Sequence, residues 1–142
     1  MNYGRFGIAQ TFVRFVLLGV AVNAASVIAQ PASTAPQPCV IQFSDTTTHY
    51  QPLLNGAPQT AGMEAGLVTL MPGQSGSQHS SKGYEEALVI ISGEGDMVVS
   101  GGPTLKLRPN SIAYCPTQTV HQIKNTGADP LKYVYVAAQV AK

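Results

Sequence analysis

Only three histidines, seven acidic residues and two cysteines occur among the 142 residues, so the placement of each group able to bind a metal or move a proton is informative. His79 lies in GQSGSQHSSKGYEEALVIISGEG and His121 in NSIAYCPTQTVHQIKN. In extended chain, side chains two apart share a face, which groups His79 with Ser81, Glu86 with Leu88 and Ile90, and His121 with Ile123 and Asn125. Each polar candidate is therefore aligned with residues of a core. A polar group buried without a partner costs about 1–3 kcal/mol or more, so something must satisfy these three. A divalent metal takes two imidazoles and a carboxylate together, and mutual hydrogen bonding is the competing explanation. Glu85 would point the opposite way along the same strand. His49, in TTTHY, reads as a surface residue and only a reserve ligand.

Other candidates have plainer readings. Cys39 and Cys115 lack the clustered spacing of a thiolate metal site. In an oxidising compartment they could pair, but burial as apolar side chains fits them equally. Gly93-Glu94-Gly95 has no helix after it to complete a phosphate site and reads as a turn between strands. Ser80 and Ser81 carry no acyl-transfer signature. Tyr114, Tyr133 and Tyr135 read as core or sheet-face packing.

The elements that must position these residues are strands. From Cys39 onward the chain is a series of short apolar or alternating segments with no sustained period of 3.6. The expected strands are Val40 to Phe43, Gly66 to Met71, Ala87 to Ser92, Asp96 to Ser100, Thr104 to Leu107, Ser111 to Cys115, His121 to Asn125 and Leu131 to Val140. Pro72-Gly73, Gly101-Gly102-Pro103, Pro109-Asn110 and Gly127 to Pro130 punctuate them, and Asn55 to Gly62 reads as a loop or a short helical turn. The pattern is all-β, a closed barrel or sandwich, because the crossover segments of a parallel sheet are missing.

The first thirty residues have another character. Arg5 and Arg14 precede the apolar run Phe15 to Val22, small residues follow, and no acidic residue occurs. That is the order of a secretory signal, with cleavage expected after Ala29, or alternatively after Ala25. The run falls short of the roughly 20 apolar residues a membrane span needs, so no stable span is expected in the mature form. The expected organisation is residues 1–29 as signal, 30–38 (QPASTAPQP) as a flexible tether and 39–142 as one β-domain, secreted or periplasmic. Loss of Arg5 and Arg14 would leave six basic residues against seven acidic ones, a formal charge of −1. Hydrophobic residues make up 44% of the chain and charged ones 11%, which suits a folded domain and offers no basic field for nucleic acid.

Two motifs resemble those of the cupin superfamily. The first runs glycine, five residues, His-x-His, three or four residues, Glu, six residues, glycine, and it is met by Gly73, His79, Glu86 and Gly93, with Ser81 where the second histidine is expected. The second runs glycine, five residues, Pro-x-Gly, two residues, His, three residues, Asn. Pro116, His121 and Asn125 meet it, with Asn110 and Gln118 in place of the glycines. The resemblance implies a double-stranded β-helix, the jelly-roll barrel of cupins. It also implies one metal ion inside the barrel, held here by His79, Glu86 and His121, since a serine hydroxyl is a poor ligand. Such a set suits Fe(II), Mn, Ni or Zn. Members of the superfamily include dioxygenases, decarboxylases, isomerases and proteins that only bind. The resemblance therefore implies a small-molecule ligand, with metal-dependent oxygenation the favoured activity and a non-catalytic sugar- or metabolite-binding module the alternative. It also implies a homodimer, since the runs Ala87 to Ile91 and Val134 to Ala138 would leave apolar outer faces needing cover.

Overall fold

The computed structural model describes residues 35–44 and 49–140. The expected signal segment, 1–29, and residues 30–34 of the expected tether lie outside these. None of the described residues forms an α-helix. Among the described residues nine strands follow one another: β1 (Tyr50–Asn55), β2 (Met63–Leu70), β3 (His79–Ser80), β4 (Tyr84–Ser92), β5 (Gly95–Val99), β6 (Thr104–Leu107), β7 (Ser111–Cys115), β8 (Val120–Asn125) and β9 (Leu131–Gln139). They form two antiparallel sheets, one in the order β1-β2-β9-β4-β7 and the other β3-β8-β5-β6.

The alternation that marks the strands also builds the core. Val68 and Leu70 from β2, Leu88 and Ile90 from β4, Cys115 from β7 and Leu131 and Tyr133 from β9 meet Met97, Leu107 and Ile123 from the other sheet. Ten largely buried side chains at about 1.5–3 kcal/mol each are the main force holding the two layers together. A second cluster of Leu53, Ala65 and Leu67 lies apart from this core, with Ile41, Leu54, Val134 and Val136 packed on it. Val89, Ile91, Ile112 and Tyr114 stay exposed.

Asn125 closes the structure at the end of β8. Its amide nitrogen donates to the carbonyls of Leu70 (2.8 Å) and Asp129 (2.9 Å), and its oxygen accepts from the Gly127 N–H (2.9 Å). One buried side chain thus ties β2, β8 and the turn into β9.

Three expectations about the strands need correction. Val40 to Phe43 is not a strand: it makes no ladder, and of it only Ile41 is partly covered. β1 was not foreseen, because Pro52 interrupts its pattern and it tolerates that residue only as an edge strand with an irregular register between Pro52 and Leu54. β2 and β4 each start three residues earlier than expected, at Met63 and Tyr84. The Thr60 hydroxyl fixes the first of these starts, accepting from the Met63 N–H at 2.9 Å and donating to its carbonyl at 2.6 Å.

Candidate metal centre

The two sheets bring His79, Glu86 and His121 together. His79 on β3 lies directly opposite His121 on β8, and cross-strand partners have their Cβ atoms about 4.5–5.5 Å apart. Their ring centroids are 4.5 Å apart with the planes tilted by 58°. Glu86 reaches them from β4 in the facing sheet. One ligating atom from each of the three lies within 4.8 Å of those of the other two. His121 is fully buried and Glu86 nearly so, whereas the His79 side chain is 52% exposed, so His79 stands at the rim of the barrel rather than inside it.

Hydrogen bonds assign the faces of both rings. Nδ1 of His79 lies 3.1 Å from the carbonyl of Ser77, and Nδ1 of His121 lies 3.3 Å from that of Thr119. Each histidine thus faces the carbonyl two residues before it. A carbonyl oxygen only accepts, so these contacts favour the tautomer with the proton on Nδ1, in which Nε2 presents a lone pair. The Cys115 sulfur, 3.2 Å from Nδ1 of His121, adds a second contact on that side.

The two Nε2 atoms flank the Glu86 carboxylate, His79 at 3.5 Å from Oε1 and His121 at 3.5 Å from Oε2. That is longer than the roughly 2.7–3.2 Å of a good hydrogen bond. It is close to the spacing of two ligands each about 2.1 Å from a shared ion, some 3.0–3.4 Å apart at coordination angles of 90–109°. The trio also has only acceptors facing inward, which suits a cation. A proton serves in part. Protonated His121 can donate to Glu86, which holds the carboxyl below its usual range although burial opposes this, and the positive charge of both imidazoles adds to the effect. The same contact raises the pKa of His121 against its own burial.

The other candidates separate cleanly. Ser81 is buried but turned aside: its hydroxyl donates to the Pro116 carbonyl at 2.8 Å and lies 4.0 Å from Cys115. Glu85 faces the opposite way, as expected, and accepts from the Tyr114 hydroxyl at 3.1 Å. His49 is exposed and outside the ligand trio, though it borders the cavity. Cys39 and Cys115 are free thiols, one exposed and one buried. Burial pushes the Cys115 thiol up.

The trio opens into a cavity of about 500 Å³, with Val68, Leu88 and Ile123 among its apolar walls and Ser77, Ser80 and Lys82 among its polar ones. Tyr133 and Tyr135 also line it. The packing role expected for these two was incomplete. Their alternation with Leu131 carried the signal, since it places both on the inward face of β9.

The turns at the motif positions share one conformation. Gly73 and Gly93 have φ of +78° and +76°, and Asn110 and Gln118, which stand where the second motif expects glycine, both have φ of +60°. All four positions need the left-handed region, and two of them hold a residue that adopts it at a cost.

Comparison with known proteins agrees with this architecture. A family model described as Cupin domain matches residues 66–137. The cupin domain of Schizosaccharomyces pombe Cnp3 is similar at 21% identity and a TM-score of 0.58, over 64% of each chain, so that the present chain spans just under two thirds of it. An RmlC-like cupin family protein with a double-stranded β-helix fold from Methanocaldococcus jannaschii is 23% identical, with a TM-score of 0.63 over 72% of this chain and 91% of that one. A predicted oxalate decarboxylase from Thermotoga maritima is 20% identical, with a TM-score of 0.55 over 72% of this chain and all of that one. At these identities the likeness is one of fold. No curated protein matches the chain.

Proposed function

The chain belongs to the cupin family, and on that premise we propose that it is an exported, metal-binding cupin that holds a small organic ligand beside the ion. The observation that carries the metal is the position of Glu86, with an imidazole Nε2 at 3.5 Å from each of its oxygens and both Nδ1 atoms turned onto carbonyls. A divalent ion held by His79, Glu86 and His121 would act as a Lewis acid towards a ligand oxygen and, as Fe(II), would supply dioxygen chemistry. Three protein ligands leave positions open, which favours metal-dependent oxygenation among the reactions of the fold.

The non-catalytic reading also has an observation behind it. Ser81 is engaged with Pro116 in the place of a fourth ligand, and His79 is half exposed, which weakens the grip on an ion. Elemental analysis of the purified protein separates the two. A stoichiometric ion that is lost in the His79→Ala, His121→Ala double variant supports the metal centre. Absence of metal after reconstitution with Fe(II), Mn, Ni and Zn leaves the binding module.

Two further parts of the proposal concern compartment and assembly. The Arg14-led apolar run supports export, and cell fractionation followed by N-terminal sequencing should give a mature chain beginning at Gln30 or Ser26. A full-length chain in the cytosol refutes export. The exposed Val89, Ile91, Ile112 and Tyr114 support a homodimer that covers them. Light scattering that finds only monomer at high concentration refutes it.

A further inference from the structure

A buried tyrosine of β9 lines the cavity. Tyr133 lies on β9 opposite Val68 and Ile90, is 6% exposed and forms part of the core, and its ring also lines the cavity that holds Glu86. Its phenolic oxygen makes no hydrogen bond among the described residues. Two neighbouring tyrosines of the same sheet already have partners. Tyr135 is paired with the Tyr50 hydroxyl at 3.0 Å, and Tyr114 donates to Glu85. The sealed side-chain atoms without a partner among the described residues are Gln51 Oε1 and Thr69 Oγ1, so the Tyr133 hydroxyl is open to the cavity and free to donate to what enters it. Burial first, and the charge of Glu86 second, hold Tyr133 in its protonated form, so the hydroxyl offers a donor throughout the working pH range. Around it, Val68, Leu88 and Ile123 supply apolar walls.

We propose that Tyr133 orients the bound ligand by donating a hydrogen bond to an anionic oxygen of a small organic acid, whose carbon body lies against Val68, Leu88 and Ile123. The inference rests on the metal-centre reading of the same site. Without a cation the Glu86 carboxylate would repel an organic anion, whereas a divalent ion reverses the local charge and leaves Tyr133 as the neutral donor beside it. Tyr133 is thus a specificity-determining residue of this cavity. Its register on the inward face of β9 fixes the position of the hydroxyl.

Hydroxamates supply an anionic oxygen and a variable carbon body. The test uses zinc-loaded protein, with affinities for benzohydroxamate and acetohydroxamate read by titration calorimetry and zinc affinity read by chelator competition. Tyr133→Phe should keep its zinc and bind benzohydroxamate at least about tenfold more weakly, as expected for a lost hydrogen bond to a charged acceptor. Tyr114→Phe, which removes an exposed hydroxyl paired with Glu85 outside the cavity, should stay within about twofold of wild type. Wild type should prefer benzohydroxamate to acetohydroxamate. Undiminished binding by zinc-loaded Tyr133→Phe, or an equal loss in Tyr114→Phe, overturns the role of Tyr133. Equal affinity for the two probes overturns the apolar subsite. A wild-type protein that holds none of zinc, Fe(II), Mn or Ni overturns the metal centre and this inference with it.

Discussion

Glu86→Gln should change stability with opposite signs in the metal-free and metal-loaded protein. Raising the pH to 8 favours the form in which His121 has lost its extra proton; the Nε2 lone pairs then face a nearly buried carboxylate, which lacks a donor on either side. An unsatisfied buried polar group costs about 1–3 kcal/mol and a charged one more, but the 11% exposure of the Glu86 side chain to the cavity brings the cost down to the low end of that range. The amide of the variant has the same shape and can donate to one Nε2, so the metal-free variant should be more stable by about 1 kcal/mol, or roughly 4 °C in Tm for a domain of this size. Metal reverses the order. At a hundredfold excess over its Kd, a divalent ion stabilises the wild type by about 2.7 kcal/mol, or roughly 10 °C, while the variant has lost the anionic ligand and should gain little. At pH 5.5 the metal-free order should also reverse, because protonated His121 then pairs with Glu86. Thermal melts of the two proteins at both pH values, with chelator and with Mn, Fe(II), Ni or Zn, read all of this. A metal-free variant less stable than wild type at pH 8, or equal metal shifts in both, would refute the assignment of lone pairs to the centre.

The pKa shifts also set the pH profile. His121 is raised, so its contribution is fully present below its unfolded value near 6.5 and is lost as pH rises through the folded one; Glu86 is lowered, so its contribution is present above about 4.5 and is lost as pH falls through its folded value. The metal-free protein should therefore draw most from the pair between about pH 4.5 and 6.5, and metal affinity should climb as His121 loses its proton, which calorimetry across pH 5 to 9 would show. A flat metal affinity across that range contradicts His121 as a ligand. Gly93→Ala would place a Cβ 2.4 Å from the Pro130 carbonyl oxygen and 2.7 Å from Leu131 Cα, whereas at Gly73 nothing lies within 4 Å. Denaturation should show a loss of about 3 kcal/mol or more at Gly93 but only about 1–2 kcal/mol at Gly73, where the backbone conformation alone is strained; equal losses would contradict the close approach. Asn125→Ala removes three hydrogen bonds of 2.8 to 2.9 Å and should cost about 2–4 kcal/mol by the same assay. A loss below 1 kcal/mol would show that the β2 and β9 ends hold without it.

How far the sequence reveals this site depends on which contacts are periodic. Glu86 with Leu88 and Ile90, and His121 with Ile123 and Asn125, were readable because a strand's two-residue period puts each polar group on the face of its apolar neighbours, and all six are buried. The same rule separated Glu85 from Glu86. It overreached at His79, whose strand is two residues long: so short an edge strand fixes the pairing with His121 but does not enclose the ring. Tyr133 shows the opposite failure. Periodicity placed it inside, yet a packed ring and a cavity-lining ring have the same spacing, and only the distances to other acceptors show that its hydroxyl is unpaired. Likewise β1 was hidden by Pro52, because whether a proline is tolerated depends on which strand edge lacks a neighbour, and that is a property of the assembled sheet.

The departures from the cupin motifs are of two physical kinds, and only one concerns chemistry. Asn110 and Gln118 keep the backbone of the glycines they replace, each at φ +60°, so the turns before β7 and β8 survive and His121 keeps its register on β8. What changes there is cost. An L-residue in the left-handed region is disfavoured by about 1–2 kcal/mol, less for asparagine, and the glycine alternative gives back about 0.5–1 kcal/mol through its freer unfolded chain. Gln118→Gly should therefore stabilise the fold by about 0.5–1 kcal/mol, since Gln118 is exposed and its side chain makes no hydrogen bond within the described residues. Chemical denaturation measures this, and a destabilised Gln118→Gly would mean that the side chain does something besides tolerating its turn. Ser81 is of the other kind. Its backbone stays in place while its hydroxyl turns to Pro116, so the barrel loses an imidazole and keeps its shape. A variant that restores the glycine at 118 should consequently leave metal affinity unchanged, because the turns carry the architecture, whereas the lone pairs of His79 and His121 and the charge of Glu86 are what an ion would answer.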